Sequence, residues 1–272
     1  GITATLAVLS LFLVNTFLLG FNTSIGVVYY DEENPEHKKN TILSSFSFLF
    51  LVCSVVLFSG IYFNGNISTL LFESIDYSYF VSLTVFSACF IIISHPFLLK
   101  FQYEEKQFHY ILVVLSTTII SLGLKIFLVV FLKKGVAGII ESNFLSRLFQ
   151  LLLLIILNLK FFKLKHLQIN PKLIRELLRI GIPMLPSFIT MYALQQGNIF
   201  FLKKYTTLQI VGIYSVGYSF GYSINLIIRS FTVAWSPFFL SFKNKQQEAQ
   251  KIFARVFTYY IWGIGLISII MY

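Results

Sequence analysis

Eight stretches of this chain run for about 20 residues or more with almost no charge: roughly 2–28, 41–63, 79–99, 108–132, 137–159, 176–202, 208–240 and 253–272. That is the length a helix needs to cross the hydrocarbon core of a bilayer. Lipid offers backbone groups no hydrogen-bond partners, so only helices or a closed barrel can span it, and these runs are too long and too uniformly apolar for barrel strands. The sequence predicts an all-α polytopic membrane protein, a helical bundle. Composition agrees where it decides: 12% of the 272 residues are charged and 57% are hydrophobic, too few charges to cover a soluble globule of this size.

The net charge of +10 then becomes a question of sides. Counting from the first segment, loops one, three, five and seven carry Lys38, Lys39, Lys100, Lys106, Lys160, Lys163, Lys165, Lys172, Arg175, Arg179, Lys243, Lys245, Lys251 and Arg255. Loops two, four and six carry only Lys133, Lys134, Lys203 and Lys204. By the positive-inside rule the basic loops 29–40, 100–107, 160–175 and 241–252 are cytoplasmic. Most of the charge is a topology signal, and nucleic acid is not an expected partner. The longest basic connection, Asn158 to Arg179, interleaves cations with Phe161, Phe162, Leu164 and Leu167. Such a stretch can anchor on the lipid surface, and it divides the chain into an N-terminal half, 1–160, a linker, 161–175, and a second half from 176 to 272. The sequence starts at Gly1 directly in an apolar run and stops inside another, so it reads as a piece of a longer protein.

No loop exceeds about 20 residues, and none holds a phosphate-binding GxxxxGK[ST] pattern. His37, His95, His109 and His166 form no HExxH or Cys/His set, and Cys53 and Cys89 both lie in apolar runs, so no metal, cofactor or disulfide is expected. No nucleophile pairs with a base at readable spacing.

Charges inside spans are costly, at least about 2.5 to 3.5 kcal/mol at mid-helix, which makes each a functional candidate. Three cations qualify: Lys125 in the fourth segment, Arg147 in the fifth and Arg229 in the seventh. Lys125 is near enough to its helix end to snorkel. Against them stands only Glu141, one and a half turns before Arg147. A cavity lined by such cations suits an anionic ligand, and the bidentate fork of arginine suits a phosphate. An exporter of organic cations would want acidic residues at that depth.

Gln195, Gln196 and Asn198 cluster in the sixth segment, and Asn225 lies one turn before Arg229. These amides suit sugar hydroxyls, or hydrogen bonds between helices. Tyr214, Tyr218 and Tyr222 form one helical stripe, which suits packing more often than ligand stacking. Pro96, Pro183, Pro186 and Pro237 are candidate kinks: Pro183 and Pro186 near a helix start, Pro237 near a helix end.

The stretch Leu177 to Phe239 places Gly181, Pro183 and Pro186 before Val211, Gly212, Tyr214 and Ser215, and then Ala234, Trp235, Ser236 and Pro237. In this it resembles the start of the second half of polysaccharide flippases of the O-antigen (Wzx) type, in the multidrug, oligosaccharidyl-lipid and polysaccharide exporter superfamily. Gly135 to Gln150 looks like that family's turn between its fifth and sixth helices. The resemblance implies twelve to fourteen helices in two lobes around a central cavity, with this chain covering about helices two to nine. It implies a bacterial inner-membrane transporter, not an enzyme, that flips an undecaprenyl-pyrophosphate-linked oligosaccharide by alternating access. Arg229, Arg147 and Lys125 would meet the pyrophosphate or an acidic sugar, and Gln195, Asn198 and Asn225 the sugar hydroxyls. Membrane lipids, a proton or sodium ion and the polysaccharide polymerase machinery are further expected partners. One departure concerns Asn198-Ile199, which stands where many relatives carry an Asp-Arg pair. A cation-coupled multidrug antiporter of the same superfamily, or a membrane-embedded polymerase, ligase or acyltransferase, is the alternative.

Overall fold

The computed structural model describes residues 2–159, 170–187, 224–242 and 246–271, with isolated positions between 190 and 221. Every regular element among them is helical. In chain order these are α1 (Ile2–Phe17), α2 (Phe21–Asp31), α3 (Pro35–Tyr62), α4 (Asn64–Phe72), α5 (Ser78–Tyr103), α6 (Gln107–Lys125), α7 (Gly135–Leu157), α8 (Pro171–Gly181), α9 (Ile224–Ser241) and α10 (Gln246–Met271). Six spans among the described residues are long and apolar enough to cross a membrane: Thr5–Asp31, Pro35–Tyr62, Ser78–Tyr103, Gln107–Phe131, Gly135–Leu157 and Ala249–Ile269. These coincide with the first five predicted segments and the eighth. The sixth and seventh are described only in part, with gaps between 188 and 223.

The chain divides into two compact units, Gly1–Leu185 and Pro186–Tyr272. In the first, α5 is the axis, with α1, α3 and α7 packed around it and α6 laid against α7. Lipid supplies no hydrophobic drive between helices, so close approach has to come from small residues. Cys53 and Cys89 supply it between α3 and α5: each thiol lies on the other's carbonyl, at 3.7 and 3.8 Å. Gly60 meets Val85 on the same seam, and Gly138 lets α7 approach the backbone at Leu128. Two hydroxyls of α5 turn back onto their own helix, Thr84 to the carbonyl of Phe80 and Ser87 to that of Leu83, which satisfies them without help from lipid.

The first predicted segment, 2–28, is not one helix. It breaks at Leu18 to Gly20, where Leu19 and Gly20 take φ of 53° and 73°. Glycine is needed at the second position for a further reason, because a Cβ there would collide with the backbone of Gly181, and one on Gly181 with the carbonyl of Leu19. The chain at the end of α8 thus lies on the break in the first span. Helix α8 starts at Pro171 behind Asn170, whose side chain accepts from the Lys172 and Leu173 amides at 3.1 and 3.4 Å. Its apolar face, Ile174, Leu177 and Gly181, is buried against α2 and α3, leaving Lys172, Arg175 and Arg179 exposed. Protein rather than lipid covers the apolar side of this part of the basic stretch. Residues 160–169, with Phe161, Phe162, Leu164 and Leu167, lie outside the described residues.

Three of the predicted basic loops are shorter than their charge pattern suggested. Helices α2 and α3 leave only 32–34 between them, α5 runs on to Tyr103, and α10 begins at Gln246. Charged residues at a span's end extend the helix rather than ending it, since the backbone still needs its partners there. Of the prolines, Pro96 lies inside α5 and Pro183 in a 3-10 turn, Ile182–Met184, that closes α8 just before Pro186. Pro237 does not end its helix: α9 continues through it to Ser241. A proline removes one ladder bond but leaves the residues after it free to stay helical.

Candidate functional site

The first unit carries a partly open cavity of about 360 Å³ between the N-terminal halves of α1, α5 and α7. Its polar lining comprises Thr3 and Ser10 from α1, Thr84 and Ser87 from α5, and Asn143 and Arg147 from α7. Leu6, Ile91 and Ile140 supply aliphatic wall between them. The helical repeat explains the grouping, since residues three or four apart share a face: Thr84 with Ser87, and Asn143 with Arg147.

Arg147 lies twelve residues from Gly135 and ten from Leu157, the ends of α7, which is roughly 18 and 15 Å along the helix axis. That puts it at mid-span, at the inner end of the cavity's α7 wall. Its Nη1 donates to the Gln150 side-chain oxygen at 2.8 Å. Glu141, the acidic residue nearest in sequence, accepts instead from Lys134 at 2.6 Å outside the cavity. No carboxylate is among the residues lining the cavity. The arrangement can therefore hold an anionic group by a charge-assisted bond at the guanidinium, with the Asn143 amide as a further donor and the Thr84 and Ser87 oxygens, whose protons go to their own helix, as acceptors for hydroxyls.

A second cation emerges at the other end of the same unit. Lys100, assigned to a loop by its charge, lies in the last turn of α5 and is only 5% exposed. Its Nζ donates to Asn158 Oδ1 at 2.7 Å and lies 3.9 Å from Glu104, which also pairs with Lys106 at 2.7 Å. Asn158 in turn donates to the carbonyl of Leu154 at 2.8 Å. Tyr29, Tyr30 and Tyr103 pack in tilted and edge-to-face pairs with centroids 5.1 to 5.6 Å apart, and Lys38 sits 5.1 Å over the Tyr29 ring.

The second unit carries an aromatic groove of about 530 Å³ between α9 and α10, lined by Phe231, Thr232, Trp235, Phe253, Phe257 and Tyr260 among others. Phe231 packs on Trp235 at 5.6 Å and on Tyr260 at 4.5 Å.

The structure brings together some of the residues singled out in the sequence and separates others. Arg147 lines the cavity. Lys125 does not: it ends α6, half-buried, where the helix passes into a π turn, Ile126–Phe131. Asn225 is half-buried on α9 in the second unit. Gln195 and Asn198 lie outside the described residues, as does the side chain of Arg229, which is placed only as part of α9. In the tyrosine stripe, Tyr214 and Tyr218 stack at 5.9 Å, as a packing stripe would; Tyr222 lies outside the described residues. Sequence reasoning missed the hydroxyl wall of the cavity and the Lys100 to Asn158 pair. The wall had a readable signal, the spacing Thr3, Ala7, Ser10 and Thr84, Ser87 on two apolar spans. The pair had none, because its members are 58 residues apart.

Compared with known proteins, the chain matches a family model described as polysaccharide biosynthesis protein over residues 1–243. No curated protein and no solved structure matches it.

Proposed function

The chain belongs to the polysaccharide biosynthesis protein family, and from that premise we propose that it carries a lipid-linked, undecaprenyl-pyrophosphate-bound oligosaccharide across the bacterial cytoplasmic membrane. The observation that supports this reading is a mid-span arginine lining a cavity with a hydroxyl and amide wall and no acidic lining residue. A pyrophosphate cannot enter the hydrocarbon core unaided, because an unpaired charge there costs several kcal/mol or more. Arg147 offsets that cost with a bidentate, charge-assisted partner at the deepest point of the path. Thr84, Ser87 and Asn143 then suit the first sugars. A cation-coupled drug antiporter would need a carboxylate where this cavity presents a guanidinium.

In this reading the protein is a transporter rather than an enzyme, with lobes at 1–160 and 176–272 that alternate access. The basic loops face the cytoplasm, so the N-terminal ends of α5 and α7, and the cavity between them, face outward. Arg229 and Lys125 are further candidates for the pyrophosphate, and Gln195, Asn198 and Asn225 for the sugar hydroxyls. The test is complementation of a strain lacking the protein, scored by surface polysaccharide. Arg147→Ala and Arg229→Ala should each abolish the polymer while protein level in the membrane stays unchanged. Full complementation by Arg147→Ala would remove the cavity from the path.

A further inference from the structure

We infer that Gln150 is a positioning residue that holds the Arg147 guanidinium at the cavity and, by being neutral, keeps its charge available to an anion. This rests on the anionic-ligand reading of the cavity and adds to it a residue that touches no ligand itself.

Gln150 is 5% exposed and is not among the residues lining the cavity. It lies three positions after Arg147 on α7, and its side-chain oxygen takes one guanidinium N–H at 2.8 Å. A guanidinium has several further donors, so one bond fixes its place without exhausting it. An arginine side chain is long and rotamer-rich, and a group that must be ordered on ligand arrival binds more weakly than one ordered beforehand. The buried amide supplies that order in advance.

The identity of the partner matters as much as its place. A glutamate of the same shape would hold the arginine as well or better, yet it would cancel the positive charge beside the cavity. A leucine or methionine would leave the charge but free the side chain to leave the cavity. Among the described residues, no carboxylate lies within ion-pair distance of Arg147, whereas Lys100, Lys106 and Lys134 each have one. Glutamine at 150 is the choice that anchors without neutralising.

This separates a positioning role from simple helix packing, for which glutamate would serve equally. The experiment titrates inorganic pyrophosphate into the full chain in lipid nanodiscs by calorimetry, with size-exclusion profiles to check folding. Gln150→Glu is expected to weaken binding by about thirtyfold or more, through loss of the available charge. Gln150→Met is expected to weaken it by roughly threefold, through loss of the anchor. Wild-type affinity in Gln150→Glu overturns the inference while leaving Arg147 as the anion site. If Gln150→Glu does not fold, Gln150→Met decides, and undiminished affinity there overturns the anchoring role. No pyrophosphate binding by the unaltered protein overturns the anionic reading of the cavity, and this inference with it.

Discussion

Arg147 and Lys100 are both cations in spanning helices of the first unit, and in composition they look interchangeable, yet their surroundings give them opposite roles. Lys100 is 5% exposed at a helix end, and its ammonium meets an amide at 2.7 Å and a carboxylate at 3.9 Å. Its charge is used up inside the protein, tying the end of α5 to the end of α7. Arg147 is half-buried at mid-span, bonded to a neutral amide, and lines a cavity with no acid in its lining. Its charge is left over. A buried cation in a membrane protein therefore says little until its partner is known: a carboxylate makes it a tie, and a neutral acceptor beside open space makes it a site.

The largest expected effect breaks the pair apart on transport. Arg147→Ala should reduce surface polymer by roughly a hundredfold or more, since it removes a contact made in the least solvated part of the path. Lys100→Ala should leave transport per molecule within about threefold of normal, as a residue outside the path would. Equal losses from both, after correction for membrane protein level, would erase the distinction. Arg147→Lys sharpens it: the charge stays but the bidentate fork goes, and transport should fall by about tenfold.

The legibility of the two cations in the sequence differed for the same physical reason. Helix length and the apolar pattern are local properties, so five spans and the eighth could be read directly, and Arg147 was conspicuous because it interrupts one of them. Lys100 sits where an apolar run meets a charged one, and there the positive-inside count treats every lysine alike. Its burial depends on Asn158, which no local pattern connects to it. The break at Leu18 to Gly20 was hidden likewise, because a glycine in an apolar run is unremarkable until Gly181 is known to press on it. Composition and periodicity recover the elements, and partners distant in the chain decide what each charge is for.

A middle-sized effect concerns stability. Lys100→Ala leaves Asn158 without its buried donor and Glu104 with one cation fewer, a loss of about 1 to 3 kcal/mol. Thermal scanning in detergent should show a midpoint lower by a few degrees, while Arg147→Ala, which deletes a bond to one buried amide, should change it by less. A larger loss from Arg147→Ala would mean that the guanidinium is also a structural tie.

The smallest effect makes the sharpest comparison, because it is one chemical change made at both places. Asn158→Asp replaces the neutral acceptor of Lys100 with a carboxylate of nearly the same shape, just as Gln150→Glu does for Arg147. At Lys100 the added charge meets a cation already committed to the fold and already near Glu104, so desolvation of the new carboxylate and its attraction to the ammonium should nearly cancel, which leaves the loss of the amide's bond to the Leu154 carbonyl as the net cost. Stability should fall by about 1 kcal/mol, the worth of that bond, and transport should be unchanged. At Arg147 the same change removes the only charge the cavity offers from its described lining. Measured side by side by polymer level and thermal midpoint, the two acids should therefore diverge chiefly in transport. If Asn158→Asp silences transport as well, the charge at Lys100 is also available to the substrate, and the cationic path extends from mid-span to the end of α5.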